Sequence, residues 1–443
     1  MDVSADQIEQ LWVADISIAD RAAIASLKMD GDVLWWLELG DELLLVTKAG
    51  MRRASLPQAI AIRDAGTSTH SQLRLRARGC NEPDSTPGRF IARGGRWEVL
   101  ELAKGETTPA RRVDDHGHGG EWREVIPNTV IAYRYLPAEK GTSAPNPIIT
   151  AVVNSVDPMR WMANLTTLSG WNRSSYGTGL AQSRAWIETQ FSALGLAVSA
   201  PSFSMPGSGG GQISVNNVLG RWTGTRFPNE WIIVGAHYDS RNQSSSSTAP
   251  TPGAEDNASG CAGVIELARV LSAFRPERSI LYMCYAGEEQ GLLGSRAHVT
   301  ALQNAGELSL VQAVVTMDMI AYSADATLDV LFESNATWSS YLNRFAAAAA
   351  TYVPQLNVTL STNPFGSDHV PYLNAGRQSL LLIENDWDIY PHYHRSTDTV
   401  ANLGPHASAM GGAILKTSAA VLADLSGANL GVYADGFETI SQP

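Results

Sequence analysis

The spacing of apolar and polar residues changes near residue 140 of this chain. Before that point, VLWWLELGDELLLV (33–46) and RFIARGGRWEVLEL (89–102) each read as two short apolar stretches broken by a Gly-containing turn, and VIPNTVIAYRYL adds a third candidate. Runs of this kind predict β-hairpins. Beyond the segment PAEKGTSAPNP, helical periodicity alternates with continuous apolar runs. A helix is predicted through SRAWIETQFSALGL, a strand from Trp231, a helix through AGVIELARVLSAF, and strands in SILYMCYA and VQAVVTMDMIAY. In the second helix Val264, Leu267, Ala268 and Leu271 fall at i, i+3, i+4 and i+7, which lays one face on a sheet. The expected fold is therefore α/β: a mixed, mostly parallel sheet flanked by helices over residues 150–428, preceded by a β-rich module at 1–140 and followed by a tail at 429–443. MPGSGGG and RNQSSSSTAPTPG read as loops.

Length and charge narrow the possibilities. At 443 residues the chain exceeds one average domain, and about two are expected. The net charge of −12, without a Lys/Arg cluster to offset it, argues against a nucleic-acid partner. No apolar run reaches bilayer length, and MDVSADQIEQ lacks the regions of a signal peptide, so no membrane partner is expected. Three cysteines, Cys80, Cys261 and Cys284, occur at no metal-like spacing. Their odd number argues against a disulfide framework, and Cys261 and Cys284 are expected as free thiols packed in the core. Any metal must then rest on His, Asp and Glu.

Candidate chemistry collects where the apolar runs stop. Trp231–Ala236 runs into His237, Ile280–Ala286 into Glu288 and Glu289, and Ala313–Met317 into Asp318. PGAEDNASG places Asp256 before a helix, and YPHYHRSTDT offers His392 and His394. Singly, Asp256 reads as a helix N-cap and the Glu pair as a solvated turn. In one sheet, however, neighbouring strand ends meet at one edge, and unpaired carboxylates gathered there repel unless cations join them. Two imidazoles, three carboxylates and no thiolate suit zinc or a related first-row ion. Five such ligands fit two ions, about 3.5–4 Å apart, sharing a carboxylate.

The segments VGAHYDS, PGAEDNASG, AGEEQGLLGS, VVTMDM, SDHVPYLNAG and HRSTDT, in this order, resemble the bacterial di-zinc aminopeptidases of the leucyl aminopeptidase type, the family-28 metallopeptidases. The resemblance spans roughly residues 155–425 and omits the first module. It implies two Zn²⁺ ions held by His237, Asp256, Glu289, Asp318 and His394. Asp256 would bridge, with His237 and Asp318 on one ion and Glu289 and His394 on the other. Glu288 would be the general base and Asp239 the carboxylate that orients His237. A cis Asp256–Asn257 peptide is also implied. The expected reaction is hydrolysis of the N-terminal peptide bond of peptides with a free N-terminus, by a monomer. Met319, Leu381, Ile383, Trp387, Tyr390 and Tyr393 would form a pocket for a large hydrophobic residue, although TNPFGSDH departs from the family pattern in having no Cys pair. Family habit, low Lys content and the tail GVYADGFETI point to a secreted or periplasmic location. The first module would be a prosegment or an accessory domain.

Two rival readings remain. Glutaminyl cyclases resemble the same scaffold but use one zinc and carry an insertion after the double Glu, where GEEQGLLGSR runs straight on. A non-catalytic, receptor-like binding module would not need Glu288 beside the ligands. His116 and His118 form a weaker candidate metal pair in a Gly-rich loop, His369 is expected as structural support near the pocket, and His392 as an exposed neighbour of the ligand.

Overall fold

The computed structural model describes residues 7–51, 60–77, 87–108, 121–136, 145–242, 250–364 and 366–428. His116, His118, Cys80, Phe365 and the tail after residue 428 lie outside the described residues. Nineteen strands are present among them. In chain order they are β1 Ile8–Asp15, β2 Val33–Gly40, β3 Glu42–Lys48, β4 Ile62–Thr69, β5 Leu73–Ala77, β6 Arg89–Gly94, β7 Trp97–Glu101, β8 Glu121–Glu124, β9 Thr129–Arg134 and β10 Ala197–Ser199. They continue as β11 Ser202–Pro206, β12 Gln212–Asn216, β13 Val218–Trp222, β14 Phe227–His237, β15 Arg278–Tyr285, β16 Val311–Met317, β17 Leu328–Glu333, β18 Leu356–Ser361 and β19 Ser379–Glu384. Both hairpins expected near the N-terminus form, as β2–β3 and β6–β7.

Thirteen strands make one sheet in the order β10-β13-β15-β14-β16-β19-β17-β18-β9-β2-β3-β1-β4. Its centre is parallel: β14 pairs with β15 and β16, and β16 with β19. These strands are sandwiched between helices, so both faces are buried, which is why Trp231–Ala236 and Ser279–Tyr285 are apolar almost without interruption. The sheet does not stop at β18. Strand β9 pairs antiparallel to it, Leu360 opposite Tyr133, and β2, β3, β1 and β4 extend the sheet further. Strands β6, β7, β5 and β8 form a second sheet.

Helices fall where periodicity and caps place them. Pro158–Ser169 starts at Asp157, whose carboxylate accepts the Met159 and Arg160 amides at 3.0 and 3.2 Å. Helix Gly260–Ala273 buries Val264, Leu267, Ala268 and Leu271 against the sheet. Gly260 is required at its start, since a Cβ there would lie 2.4 Å from Asn257 Oδ1 and 2.6 Å from the Met317 carbonyl. The Asp256–Asn257 peptide before it is cis, as expected. Among the described residues no helix is long and apolar enough to cross a membrane.

One expectation is corrected. Cys261 and Cys284 are not free thiols but are joined in a disulfide, with Cα atoms 5.9 Å apart. The helix carrying Cys261 packs directly on the face of β15 that carries Cys284, bringing the pair within bridging reach. An odd total says nothing about two of the three.

Candidate metal centre

The carboxyl ends of the parallel strands converge on one point. His237 closes β14, Asp318 follows β16, Glu288 and Glu289 follow β15, and all are buried. Asp256 enters from the loop before helix Gly260–Ala273, and His394 from the loop after β19. His237 Nε2 lies 3.2 Å from Asp256 Oδ1 and 3.3 Å from Asp318 Oδ1. His394 Nε2 lies 2.8 Å from Asp256 Oδ2 and 3.3 Å from Glu289 Oε2. The two oxygens of Asp256 thus face different histidines. Glu288 is set back, its Oε2 4.0 Å from His237 Nε2. Two triads of these side chains, His237–Asp256–Glu289 and His237–Glu288–Asp318, bring donor atoms within 4.8 Å of one another and could hold a metal.

The loops carrying these residues are tied down from behind. Asp398 accepts the backbone amides of Glu255 and Asp256 at 2.9 and 3.0 Å and the Tyr390 hydroxyl at 2.8 Å. Asn257 accepts the Gly260 and Met319 amides and donates to the Met317 carbonyl, which joins the Asp256 loop to the end of β16. Ser367 donates to Asp318 Oδ2 at 2.7 Å. Arg173, fully buried, donates to the carbonyls of Tyr238, Leu168, Pro252 and Gly253 at 2.7–2.8 Å. Asp239 accepts the Ser175 hydroxyl at 2.8 Å and the Glu288 and Glu289 amides at 3.3 and 3.4 Å. The nearest partner of His237 Nδ1 is the Asp239 backbone carbonyl at 3.1 Å, with the carboxylate at 3.6 Å. That carbonyl favours the tautomer with the proton on Nδ1 and turns the Nε2 lone pair toward the carboxylates.

Electrostatics are those of a crowded anionic site. Burial pushes the Glu288 carboxyl well above its ordinary value, and neighbouring carboxylates add to the shift. Glu289 is raised, again by burial first. Burial alone would raise Asp256, but hydrogen bonds from His237 and His394 outweigh it and hold the carboxyl far below its usual range. Burial works against His394 as well, yet Glu289 and Asp256 lift it to about 9. Carboxylates that cannot shed charge by moving apart demand cations, as protons or as metal.

A narrow cavity of about 10 Å³, room for about one water, opens on this cluster, lined by Asp256, Glu288, Asp318, His394 and, from the sequence-derived pocket, Met319, Ile383, Trp387 and Tyr393. Tyr393 stacks on His394 at 4.0 Å. Leu381 and Tyr390 are not among the lining residues: Leu381 lies inside β19 in the core, and Tyr390 is anchored to Asp398. His369 is buried beside Glu333 at 3.6 Å, and His392 is partly exposed against Thr397. Sequence reasoning missed Asp398, although it sits inside HRSTDT, as well as Arg173 and Arg96, the last of which reaches the cavity from β6–β7. No local pattern distinguishes them, because each works through a contact distant in sequence.

Comparison with known proteins follows the same outline. The family model of Peptidase family M28 matches residues 217–418. "Leucine aminopeptidase 1" of Arthroderma otae is 27% identical over 332 residues, covering 68% of this chain and 86% of its own. A "Probable zinc metalloprotease" of Pyrenophora tritici-repentis is 30% identical over 222 residues, covering 43% of this chain, which spans 50% of that protein's length. Among solved structures, BSAP, a zinc aminopeptidase from Bacillus subtilis, superposes with a TM-score of 0.52 at 18% identity over 61% of this chain and 95% of its own. LapB from Legionella pneumophila gives 0.54 at 22% identity over 77% of this chain and 95% of its own. These likenesses establish the large mixed sheet flanked by helices.

Proposed function

We propose that this chain, whose residues 217–418 match the model of peptidase family M28, is a metallo-aminopeptidase that releases N-terminal residues from peptides with two zinc ions, for which Asp256 would be the shared ligand. The observation that carries the reading is the division of the Asp256 carboxylate between His237 and His394. Donor atoms on one tetrahedral ion with bonds of about 2.0–2.1 Å sit roughly 3.3 Å apart. Here the separations are 3.2 and 3.3 Å around His237 and 2.8 and 3.3 Å around His394. Glu289 Oε1 is buried and has no hydrogen-bond partner among the described residues, as suits an oxygen kept for an ion. His237 and Asp318 would hold one ion, Glu289 and His394 the other. Bound zinc lowers the pKa of water toward neutrality and polarises a carbonyl.

The chain's own groups do the rest. Glu288 belongs to one of the two triads but stands farther from His237 Nε2, at 4.0 Å, than Asp256 and Asp318 at 3.2 and 3.3 Å. In this reading it is the base, which would take the proton of the attacking water and return it to the leaving amine. Asp239 acts at one remove: it holds the Glu288 and Glu289 amides and supports His237. Met319, Ile383, Trp387 and Tyr393 give the cavity apolar and aromatic walls, which suit a large hydrophobic N-terminal residue. Residues 150–428 form the catalytic unit and 1–140 an accessory region that continues its sheet, and export from the cell belongs to the same reading. The cyclase reading has less support, since the turn after Glu289 leads directly to a helix at Leu293 with no inserted segment.

Metal analysis coupled to an aminoacyl anilide assay tests the proposal. Zinc-dependent release of leucine from its anilide is expected, with no cyclisation of N-terminal Gln peptides. A metal-free chain without turnover would point to the binding module, and cyclisation with one zinc to the cyclase.

A further inference from the structure

We propose that the Cys261–Cys284 disulfide is a positioning link for the metal centre: it sets the spacing of Asp256 and Glu289, and with it the affinity for the ion that these two carboxylates share with His394. The proposal rests on the two-ion reading above and adds to it what keeps one of the two sites in shape.

The bridge is placed symmetrically between the two carboxylates along the chain. Cys261 follows Asp256 by five residues, and Cys284 precedes Glu289 by five. Both cysteines are fully buried. Cys284 stands inside the sheet, opposite Ala236 of β14 and Val218 of β13, one residue before the pair His237–Tyr285. Side chains alternate along a strand, so Tyr282, Cys284 and Ala286 share the face that packs on helix Gly260–Ala273, while Met283 and Tyr285 pack on the other. Cys261 lies in the first turn of that helix, directly after the Asp256 loop.

The other fastenings of that loop lead elsewhere. Ala254, Glu255 and Asp256 donate their amides to Asp398, and Asn257 donates to the Met317 carbonyl. The Ile320 amide donates to the Ser259 hydroxyl at 3.1 Å, the Ala321 amide to Glu255 at 2.9 Å, and Trp161 Nε1 to the Ser259 carbonyl at 2.9 Å. These bonds set Asp256 against the end of β16, where Asp318 stands. Among the described residues no hydrogen bond of residues 254–260 reaches β15 or Glu289, and the covalent tie to that strand is the bridge. His237 and Asp318 need no such tie, because β14 and β16 are neighbours paired in register up to Gly235 and Thr316. Two carboxylates repel until an ion joins them, and ligands already held at their spacing lose less freedom when it binds. The bridge therefore bears on the Glu289–His394 ion and little on the His237–Asp318 ion.

Peptide mapping of the oxidised chain should recover Cys261 and Cys284 in one linked pair of peptides, and recovery of both as thiols would overturn the proposal at once. Zinc affinity is then read by chelator competition in two backgrounds that each leave one site: Asp318→Asn, which keeps Glu289 and His394, and His394→Gln, which keeps His237 and Asp318. Adding Cys261→Ala with Cys284→Val, which keeps the position apolar without the bond, should weaken zinc about 10–100-fold in the first background, the range for groups that orient ligands. The second background should be unchanged. With every ligand present, the same two substitutions should lower kcat on leucyl anilide at limiting zinc, leave KM unaltered, and regain wild-type kcat in excess zinc. Equal weakening in both backgrounds, no weakening in either, or a kcat that excess zinc does not restore overturns the proposal. If the double variant does not fold, the same backgrounds refolded with both thiols reduced give the comparison, and failure of that form to fold as well would make the bridge a stability element and overturn its positioning role. Uptake of a single zinc by the wild type would sink the two-ion reading instead, and the bridge would then stand or fall on whether its removal weakens that ion.

Discussion

Two regions of the molecule treat their polar residues in opposite ways. In the N-terminal strands polar side chains are paired where they stand: Arg76 with Glu98 across β5 and β7, Trp35 Nε1 with Glu9 at 3.2 Å, and Trp12 Nε1 with Thr47 at 3.1 Å. In β14, β15 and β16 the strand bodies are almost wholly apolar, and the polar residues are displaced to the carboxyl ends, where acids crowd with two histidines. Pairing within a sheet is a solution to burial. Crowding at a shared edge creates a demand that a bound ion answers. Among the described residues, the N-terminal region contributes to that edge through the tip of one hairpin, which brings a cation among acids.

Substitutions at the two places should therefore fail differently. The largest effect is expected from Glu288→Gln: turnover falls about 10³–10⁴-fold while zinc content stays as in wild type, because a proton acceptor is lost and no ligand is touched. Glu289→Gln should lose zinc as well. Equal zinc loss in both variants, measured by elemental analysis, would break the distinction between base and ligand. In the N-terminal sheet, Arg76→Met removes the guanidinium paired with the buried Glu98 and is expected to cost about 3–5 kcal/mol in denaturant unfolding. That variant should keep the kcat of whatever fraction stays folded. A large fall in kcat of the folded fraction would mean that the two regions are less separable than their pairing suggests.

The ends of the parallel strands were the legible part of this molecule. An apolar run that stops abruptly at His237, Asp318 or Glu288 is visible in one dimension, and topology then supplies the meeting point. Hairpins were legible too, since β2–β3 and β6–β7 close over a few residues. What stayed hidden depends on pairings across great distances in sequence. The junction of β9 with β18 joins Tyr133 to Leu360, the Cys261–Cys284 bridge depends on how a helix sits on a strand, and Arg96 meets Trp387 only after both regions have folded. Asp398 lay inside a motif whose histidine drew attention first. Its role, holding two consecutive amides of the Asp256 loop, belongs to backbone geometry and leaves no periodic trace.

That role gives the third expectation. Asp398→Ala should weaken zinc binding by about 10–100-fold, read by competition with a chelator, because the Asp256 loop loses its fastening although every ligand remains. Unchanged affinity would reduce Asp398 to a local packing role. The smallest effect concerns His298, which is buried in the catalytic region with Nδ1 2.6 Å from the Tyr372 hydroxyl and a pKa lowered by burial to about 4. A histidine kept neutral in the fold takes its proton in the unfolded chain first. Stability should consequently rise with pH between about 4 and 6.5 and level off above, with a slope approaching about 1.4 kcal/mol per pH unit from this group. His298→Gln should flatten that segment of the pH–stability curve. An unchanged slope would assign the acid sensitivity elsewhere. His70, half-buried against Trp35 in the N-terminal region, is shifted in the same direction by burial and should contribute less.

The central claim is that one carboxylate serves two ions, and zinc stoichiometry tests it most directly. Metal-depleted protein titrated with zinc, with bound metal counted per chain and leucyl anilide turnover followed in parallel, is expected to take up two ions. In Asp256→Asn both sites should weaken together. Full turnover at one zinc per chain, or an Asp256→Asn variant that keeps two tightly bound ions, would contradict it.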